Sequence, residues 1–272
     1  HAHIAEQPST ALISPGASAE RTVVLASVDV VDTPVVASIV LVPAGCAPVD
    51  FELTLPVTAL AAEPASCKSV RFSDVGWTDI SATTATSALV LQALGYKPDV
   101  QILSVAVTFE SLKQGDTDIF LGNWMPLQEP IQKPLVEAGA IEVVRANLDG
   151  ALIGFAVPET SYQAGLKTYA DIAKFKDQLG GKIYGIEAGS SANTTILKMI
   201  SEDSFGLGGF ELVESSEQGM LAQVQRAVQS GGDIVFFGWR PHPMNVRYDI
   251  EYLTDGNDVF GPNDGAATVM TN

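Results

Sequence analysis

Few residues in this sequence are suited to hold a metal ion or to act as a catalytic base. Its 272 residues include two cysteines, Cys46 and Cys67, and three histidines, His1, His3 and His242. Two cysteines are too few for a disulfide framework, and these two lack the spacing of metal ligands. A zinc site or a histidine-based catalytic site would have to be built around His242 alone. We therefore expect no metal, no cofactor and no catalytic residues.

Positive charge is also scarce. Fifteen lysines and arginines stand against 32 aspartates and glutamates, which gives a formal net charge of −17. This balance argues against nucleic acid as a partner, because a phosphate backbone needs a basic face. An acidic surface favours a cationic ligand, although acidity also serves solubility alone. No apolar run reaches the roughly 18 residues of a membrane span, so we expect contact with a membrane only through a partner protein.

The first 61 residues differ in composition from the rest of the chain. They contain no lysine and one arginine, Arg21, and they show no helical period and only fragments of strand alternation. Ala59-Leu60-Ala61 has the small-x-small form of a signal-peptidase site, which predicts an exported protein, but the basic residues expected upstream are missing. We treat residues 1–61 as an extension of uncertain structure that ends in a signal-peptide-like segment.

From Ser69 onward, short apolar strands alternate with amphipathic helices. Such alternation predicts βαβ units, and hence an α/β fold with mainly parallel sheets flanked by helices. The predicted strands cover residues 70–72, 100–107, 119–121, 182–186, 210–213 and 234–237. The predicted helices cover residues 80–94, 111–113, 127–138, 193–201 and 219–229.

All three tryptophans follow predicted strands. Trp77, Trp124 and Trp239 each come just past the C-terminal end of a strand, one or two residues after a glycine that lets the chain turn. In open α/β sheets, ligands bind in the crevice outside the carboxyl ends of the strands. A lone tryptophan is usually a core residue, but three in the same kind of place favour a binding site.

Three indoles with few nearby charges are typical of a site for a quaternary ammonium group. Such a cation has no hydrogen to donate and is stabilised by the faces of aromatic rings, each ring contributing about 0.5–2 kcal/mol. Three rings give at most about 6 kcal/mol, whereas micromolar affinity needs roughly 8, so a polar anchor is expected as well. Asp79, two residues after Trp77, is the candidate. An aspartate just before a predicted helix is equally expected as an N-cap, and the two roles are compatible.

Five segments of the sequence match one known family in form and in order. They are FSDVGWTDI (72–80), FLGNWMP (120–126), GKIYGIE (181–187), VESSEQGMLA (213–222) and GWRPHPMN (238–245). These motifs resemble those of the choline and glycine-betaine binding proteins of ABC importers, and the resemblance covers about residues 62–272. It implies cage tryptophans at Trp77, Trp124 and Trp239, with Asp79 as the partner of the choline hydroxyl.

The resemblance also implies a fold, a partner and a location. The fold is the two-lobed periplasmic-binding-protein type (type II), with lobe 1 at 62–150, lobe 2 at 151–258 and a return segment to lobe 1 at 259–272. The partner is the permease of an ABC importer, and the location is the periplasm. Because the family's first lobe continues further, we expect lobe 1 to be incomplete and to expose apolar surface, bare or partly covered by the segment before Ala61. Lobe 2 should be complete.

Several positions depart from the choline-binding pattern. Ile153, with Phe155 two residues on, stands where the family has a fourth aromatic wall, a tyrosine. Ser190 stands where it has a ligand-contacting asparagine, and Arg240 adds a cation after the third tryptophan. Cys67 matches a cysteine whose partner lies outside this sequence, so we expect it to be free or paired with Cys46.

Two alternatives to a choline-binding protein follow from the same residues. A site for glycine betaine, another betaine or an amino acid is the first, and Arg240 favours it. An enzyme is the second, because Ser190 and Ser191 follow a glycine at a strand-to-helix turn. That turn lacks the G-x-S-x-G form of a nucleophile elbow. His242, between two prolines, is better suited to brace the loop that carries Trp239.

Overall fold

The computed structural model describes residues 22–29, 35–42, 49–55 and 65–272. The chain divides into two compact units, residues 1–64 and 65–272. In the first unit, three strands form an antiparallel sheet in chain order, β1 (Thr22–Asp29), β2 (Val35–Val42) and β3 (Val49–Leu55). The signal-peptidase-like site at 59–61 and Cys46 lie outside the described residues.

The second unit begins with the alternating elements of lobe 1. They are β4 (Ser69–Asp74), α1 (Thr78–Ala93), β5 (Lys97–Ile102), α2 (Val105–Gln114), β6 (Ile119–Phe120), β7 (Asn123–Met125) and α3 (Glu129–Glu137). A parallel sheet in the order β5-β4-β6 forms the base of this lobe. The strand predicted over 100–107 ends at Ile102, because the Ser104 side chain caps α2 by accepting a hydrogen bond from the Val107 N–H.

The remaining elements form a second, larger sheet with its helices. They are β8 (Arg145–Pro158), α4 (Glu159–Gln163), α5 (Tyr169–Ile172), β9 (Lys182–Tyr184), α6 (Ser191–Ser201), β10 (Glu211–Val213), α7 (Glu217–Ser230), β11 (Phe236–Arg240), α8 (Met244–Arg247), β12 (Ile250–Tyr252), α9 (Pro262–Gly265) and β13 (Ala266–Thr271). Three single turns of 3₁₀ helix cover Ala65–Lys68, Ala173–Phe175 and Ser204–Gly206.

The larger sheet is mixed rather than mainly parallel, which corrects the prediction. Its order is β10-β9-β11-β8-β13-β7, with β12 also paired to β8. The β9 pairings with β10 and β11 are parallel, and the pairings of β8 and β13 are antiparallel. The sequence pattern missed β8, because the first half of this strand alternates weakly and faces solvent on much of its length.

Strand β8 runs through the expected lobe boundary at 150–151. Its first half pairs with β13, and its second half pairs with β11 and β12. Strand β13 in turn pairs with β7, and Asn272 exchanges backbone hydrogen bonds of 2.8 and 2.9 Å with Phe120 in β6. The end of the described chain therefore returns to lobe 1, and the lobes are joined by continuous strands.

Lobe 1 exposes several large apolar side chains. Its first helix packs inward through Ile80, Thr84 and Ala88, which are spaced four residues apart. The exposed side chains are Leu89, Val90, Leu94, Val100, Ile102 and Val107.

In the part of the chain that the structure describes, no helix is both long enough and apolar enough to cross a membrane. Cys67 is an exposed, free thiol.

Candidate binding site

The three tryptophans line a single cavity. Trp77 and Trp124 come from lobe 1 and Trp239 comes from lobe 2, and all three side chains are buried. The rest of the wall is mostly apolar, with a few polar side chains among it. Its main members are Ile153, Ile186, Phe237, Ser190 and Gln128.

Two of the three tryptophans follow the strands that the sequence predicted. Trp77 follows the end of β4 and is the N-cap residue of α1, and Trp124 follows β6 but itself lies within the short strand β7. Trp239 lies within β11. The glycine before Trp77 does adopt a left-handed turn, since Gly76 has φ = 79°. Gly122 has no such φ, and its role is close packing: an added Cβ would lie 2.8 Å from an Ile80 methyl.

Two of the indole N–H groups donate to carboxylates across the cleft. Trp77 Nε1 donates to Glu187 Oε1 at 3.1 Å, and Trp239 Nε1 donates to Asp79 Oδ1 at 3.0 Å. Each bond joins a tryptophan of one lobe to an acid of the other. These bonds fix the rotation of the two rings and place negative charge at their N–H edges. Trp124 Nε1 has no hydrogen-bond partner.

Asp79 is not the cap of α1. It lies in the first turn of the helix, and the N-cap residue Trp77 makes no side-chain capping bond. Asp79 lines a second cavity with Thr78 and His242 and is not among the residues that line the cavity between the indoles. Burial raises the pKa of the Asp79 carboxyl to about 6. The hydrogen bond from Trp239 lowers this pKa, but burial has the larger effect. Burial likewise raises the pKa of Glu187.

A buried carboxylate missed by the sequence analysis lies beside the site. Glu217 Oε2 accepts a 2.7 Å hydrogen bond from the Thr78 N–H, and Oε1 accepts one from the Thr78 hydroxyl. His242 Nδ1 accepts the Met244 N–H at 3.0 Å, so Nε2 carries the proton and donates to Glu217 at 3.0 Å. Burial alone would raise the pKa of Glu217, but the bonds from His242 and Thr78 outweigh it and lower that pKa.

The structure also locates the positions that depart from the family pattern. Ile153 lies opposite Trp239 on the neighbouring strand and lines the cavity, whereas Phe155 packs against Tyr169 instead. Arg240 is exposed, and its guanidinium lies 4.6 Å from the Tyr252 ring. Because successive side chains of a strand point to opposite faces, the Arg240 charge lies away from the Trp239 face.

The side chains of Ser190 and His242 make structural hydrogen bonds. The Ser190 side chain lines the cavity, but it caps α6 by accepting a hydrogen bond from the Asn193 N–H. Both ring nitrogens of His242 are occupied, and its ring packs edge-on against Trp239 at 4.8 Å. As expected, His242 braces the loop that follows Trp239. Among the described residues, no cluster of three or more acidic, histidine or cysteine side chains could hold a metal.

Gln128 is a second polar residue that the sequence analysis missed. It lies in the cavity wall and is 1% exposed, four residues after Trp124. No periodic pattern in the sequence marks it, because Trp124 lies in β7 and Gln128 lies in the turn before α3.

Comparison with known proteins identifies the relatives of this chain. The family model described as the substrate-binding domain of ABC-type glycine betaine transport systems matches residues 68–272. A solved ABC-transporter choline-binding protein in complex with choline is 57% identical, with a TM-score of 0.75 over 77% of this chain and 72% of that one. Lactococcal OpuAC, closed on glycine betaine, is 27% identical, with a TM-score of 0.64 over 75% of this chain and 76% of that one.

Sequence relatives agree with the structural ones. An uncharacterised protein of Chromohalobacter salexigens is 48% identical over 139 residues, which cover 51% of this chain and 88% of that protein. The glycine betaine/carnitine transport binding protein GbuC of Listeria monocytogenes is 28% identical over 94 residues, covering 35% of this chain and 31% of that protein. The matched family and the solved neighbours are transport binding proteins with the two-lobed type II fold, and not enzymes.

Proposed function

Since this chain belongs to the family of substrate-binding domains of ABC-type glycine betaine transport systems, we propose that it captures a quaternary-ammonium compound, choline in the first place, in a cage of three tryptophans. The main observation that supports this proposal is that one cavity is lined by three tryptophans from separate elements, Trp77, Trp124 and Trp239. Its remaining wall offers no cationic side chain among the described residues, so a cation meets ring faces without repulsion.

The acidic side chains complete the electrostatics of the cage. Asp79 and Glu187 accept hydrogen bonds from two indole N–H groups, so their negative charge lies at the edges of these rings and adds to the field that a cation meets. The 57% identical choline-binding structure supports choline as the ligand. In this proposal Ser190 contributes to the lobe 2 wall, Ile153 replaces the fourth aromatic wall, and the loaded protein delivers its ligand to the permease of an ABC importer from the periplasm.

Glycine betaine is the second candidate ligand. The family model and the lactococcal structure, which binds glycine betaine, favour it. Arg240, which the sequence analysis counted in its favour, lies over Tyr252 and is absent from the cavity wall. The betaine carboxylate would therefore need hydrogen-bond donors other than Arg240.

A titration followed by tryptophan fluorescence tests the proposal, because the three fluorophores form the proposed site. We expect binding of choline, weaker binding of glycine betaine, and no binding of proline, which lacks a quaternary nitrogen. Replacing Trp77, Trp124 or Trp239 singly with alanine should weaken choline binding by at least about tenfold, and phenylalanine should cost less. A folded alanine variant that binds choline as the wild type does would place that tryptophan in the core and contradict the cage.

A further inference from the structure

Three acids lie close together at the cleft without a lysine or arginine partner. Burial, and then repulsion from Glu217, raises the pKa of both Asp79 and Glu187, so the three carboxyl groups act on one another. Among the described residues, neither lysine nor arginine forms an ion pair with any of them, and their one basic neighbour is His242. Negative charge that is withdrawn from water without a positive partner is costly, so the cleft favours a cation.

Glu187 is the acid whose position is most firmly fixed. Asn193 Nδ2 donates to the carbonyls of Ile186 and Glu187 at 2.8 and 3.1 Å, and Asn193 Oδ1 accepts the Ile186 N–H at 3.0 Å. Both oxygens of the Glu187 carboxylate accept the Trp77 indole N–H, at 3.1 and 3.2 Å. Among the described residues, no other side chain donates to this carboxylate. Its charge is therefore held at the edge of one cage ring.

The Trp77 ring transmits the effect of this carboxylate to the cavity. Trp77 is among the residues that line the indole cavity, and Glu187 is not. The attraction between a cation and an indole face is electrostatic. Because hydrogen bonds polarise the groups that form them, an N–H that donates to an anion leaves more electron density on its ring. Trp124, whose N–H has no partner, receives no such contribution.

We propose that Glu187 is a positioning residue that makes ligand affinity depend on positive charge, by accepting the Trp77 N–H at the edge of the ring. Glu187 acts through Trp77 and not by touching the ligand: it orients the ring and adds negative charge to it. An uncharged ligand of the same shape gains from the oriented ring but not from the carboxylate. This inference rests on the proposed function and deepens it, because it assigns charge recognition to a residue outside the cavity wall.

The test compares choline with dimethylbutanol, an alcohol in which a tert-butyl group replaces the trimethylammonium group. Glu187→Gln removes the charge and keeps an oxygen that accepts the Trp77 N–H. We expect choline affinity to fall about fivefold, while affinity for dimethylbutanol stays within about twofold of the wild type. Glu211→Gln is the matched control, because Glu211 is an exposed glutamate on β10 of lobe 2. It should leave both affinities unchanged.

A double-mutant cycle with Trp77→Phe tests whether Glu187 acts through the indole N–H. Phenylalanine keeps a ring but has no N–H, so Glu187→Gln should cost less choline affinity in the Trp77→Phe background than in the wild type. The cycle needs choline alone, so it decides the matter even where dimethylbutanol binds too weakly to titrate.

Three outcomes would overturn the inference. They are equal losses of choline and dimethylbutanol in Glu187→Gln, wild-type choline affinity in that variant, and additive losses in the cycle. Equal losses would mean that Glu187 only orients the ring, and additive losses would mean that its effect does not pass through the Trp77 N–H. Failure of the wild type to bind choline would instead contradict the proposed function, before any variant is compared.

Discussion

At the scale of single residues, the three cage tryptophans differ in what holds them. Trp77 and Trp239 are each fixed by a carboxylate of the opposite lobe, and Trp124 is fixed by packing alone. A bond that spans the cleft is complete only when the lobes are together. The orientation of the Trp77 and Trp239 rings therefore depends on contacts between the two lobes.

We expect the charge of Asp79 to give choline binding a pH dependence. Its pKa is raised to about 6, so the carboxyl gains a proton as the pH falls through that value and its attraction for a cation is lost. We expect choline affinity to fall by up to about tenfold between pH 7 and pH 5. The other titratable groups that act on Asp79 are His242 and Glu217, and Glu217 stays ionised because its pKa is lowered.

Fluorescence titrations of choline at a series of pH values measure this effect. Asp79→Asn should bind more weakly at pH 7 and show a flatter profile. Asp177→Asn, which removes an exposed acid of lobe 2, serves as the control for general surface charge. If Asp79→Asn keeps the wild-type slope, the pH dependence belongs to another group.

At the scale of elements, α1 receives its N-terminal cap from the other lobe. Thr78 is the first residue of α1, and its N–H has no partner within the helix. Glu217, the first residue of α7, accepts that N–H and places its charge at the positive end of the α1 dipole. His242 Nε2 donates a hydrogen bond to the same Glu217 carboxylate. The first N–H of the helix that carries Asp79 is thus satisfied by a residue of the other lobe.

Weakening this cap should speed ligand release. Hydrogen bonds to a charged group are worth about 1.5–3 kcal/mol, so we expect Glu217→Gln to raise the choline dissociation rate about tenfold and leave the association rate nearly unchanged. Stopped-flow fluorescence measures both rates. The control is Glu214→Gln, because the Glu214 carboxylate accepts a hydrogen bond from Asn193 within lobe 2. A wild-type dissociation rate in Glu217→Gln would show that the Thr78 contact does not hold the lobes together.

At the scale of the whole molecule, lobe 1 presents apolar side chains to solvent on α1 and β5. Leu89, Val90 and Ile102 are 47%, 51% and 75% exposed. Large exposed apolar patches are typical of surfaces that associate. This face is separate from the ligand site, because none of the three side chains lines the indole cavity.

We expect the double change Leu89→Lys and Val90→Lys to lower self-association, with the oligomeric fraction falling by roughly half, and to leave choline binding unchanged. Size-exclusion chromatography with light scattering measures the first effect, and the fluorescence titration measures the second. Leu197→Lys is the control, because Leu197 is also 47% exposed but lies on α6 of lobe 2. An equal effect of this control would show that added charge, and not the lobe 1 face, reduces association.

Local sequence patterns determined the alternating elements, the family and the three tryptophans of the cavity. The helix predicted over 193–201 matches α6 closely, because Ser190 caps it and Ala192, Ile196 and Met199 give it one buried face. Trp77, Trp124 and Trp239 stood out because their residue type and spacing are visible along the chain. The role of these rings in binding stays a prediction.

Only the tertiary structure decided which side chains meet. Glu187 lies 110 residues from Trp77, and Glu217 lies 139 residues from Thr78, so no local pattern could pair them. The same holds for β8 and β13, whose antiparallel register joins the lobes. Periodicity reports the neighbours of a residue along one helix or strand, whereas the contacts across the cleft depend on how the long strands bring two lobes together. The polar partners of the cage are therefore a property of the fold.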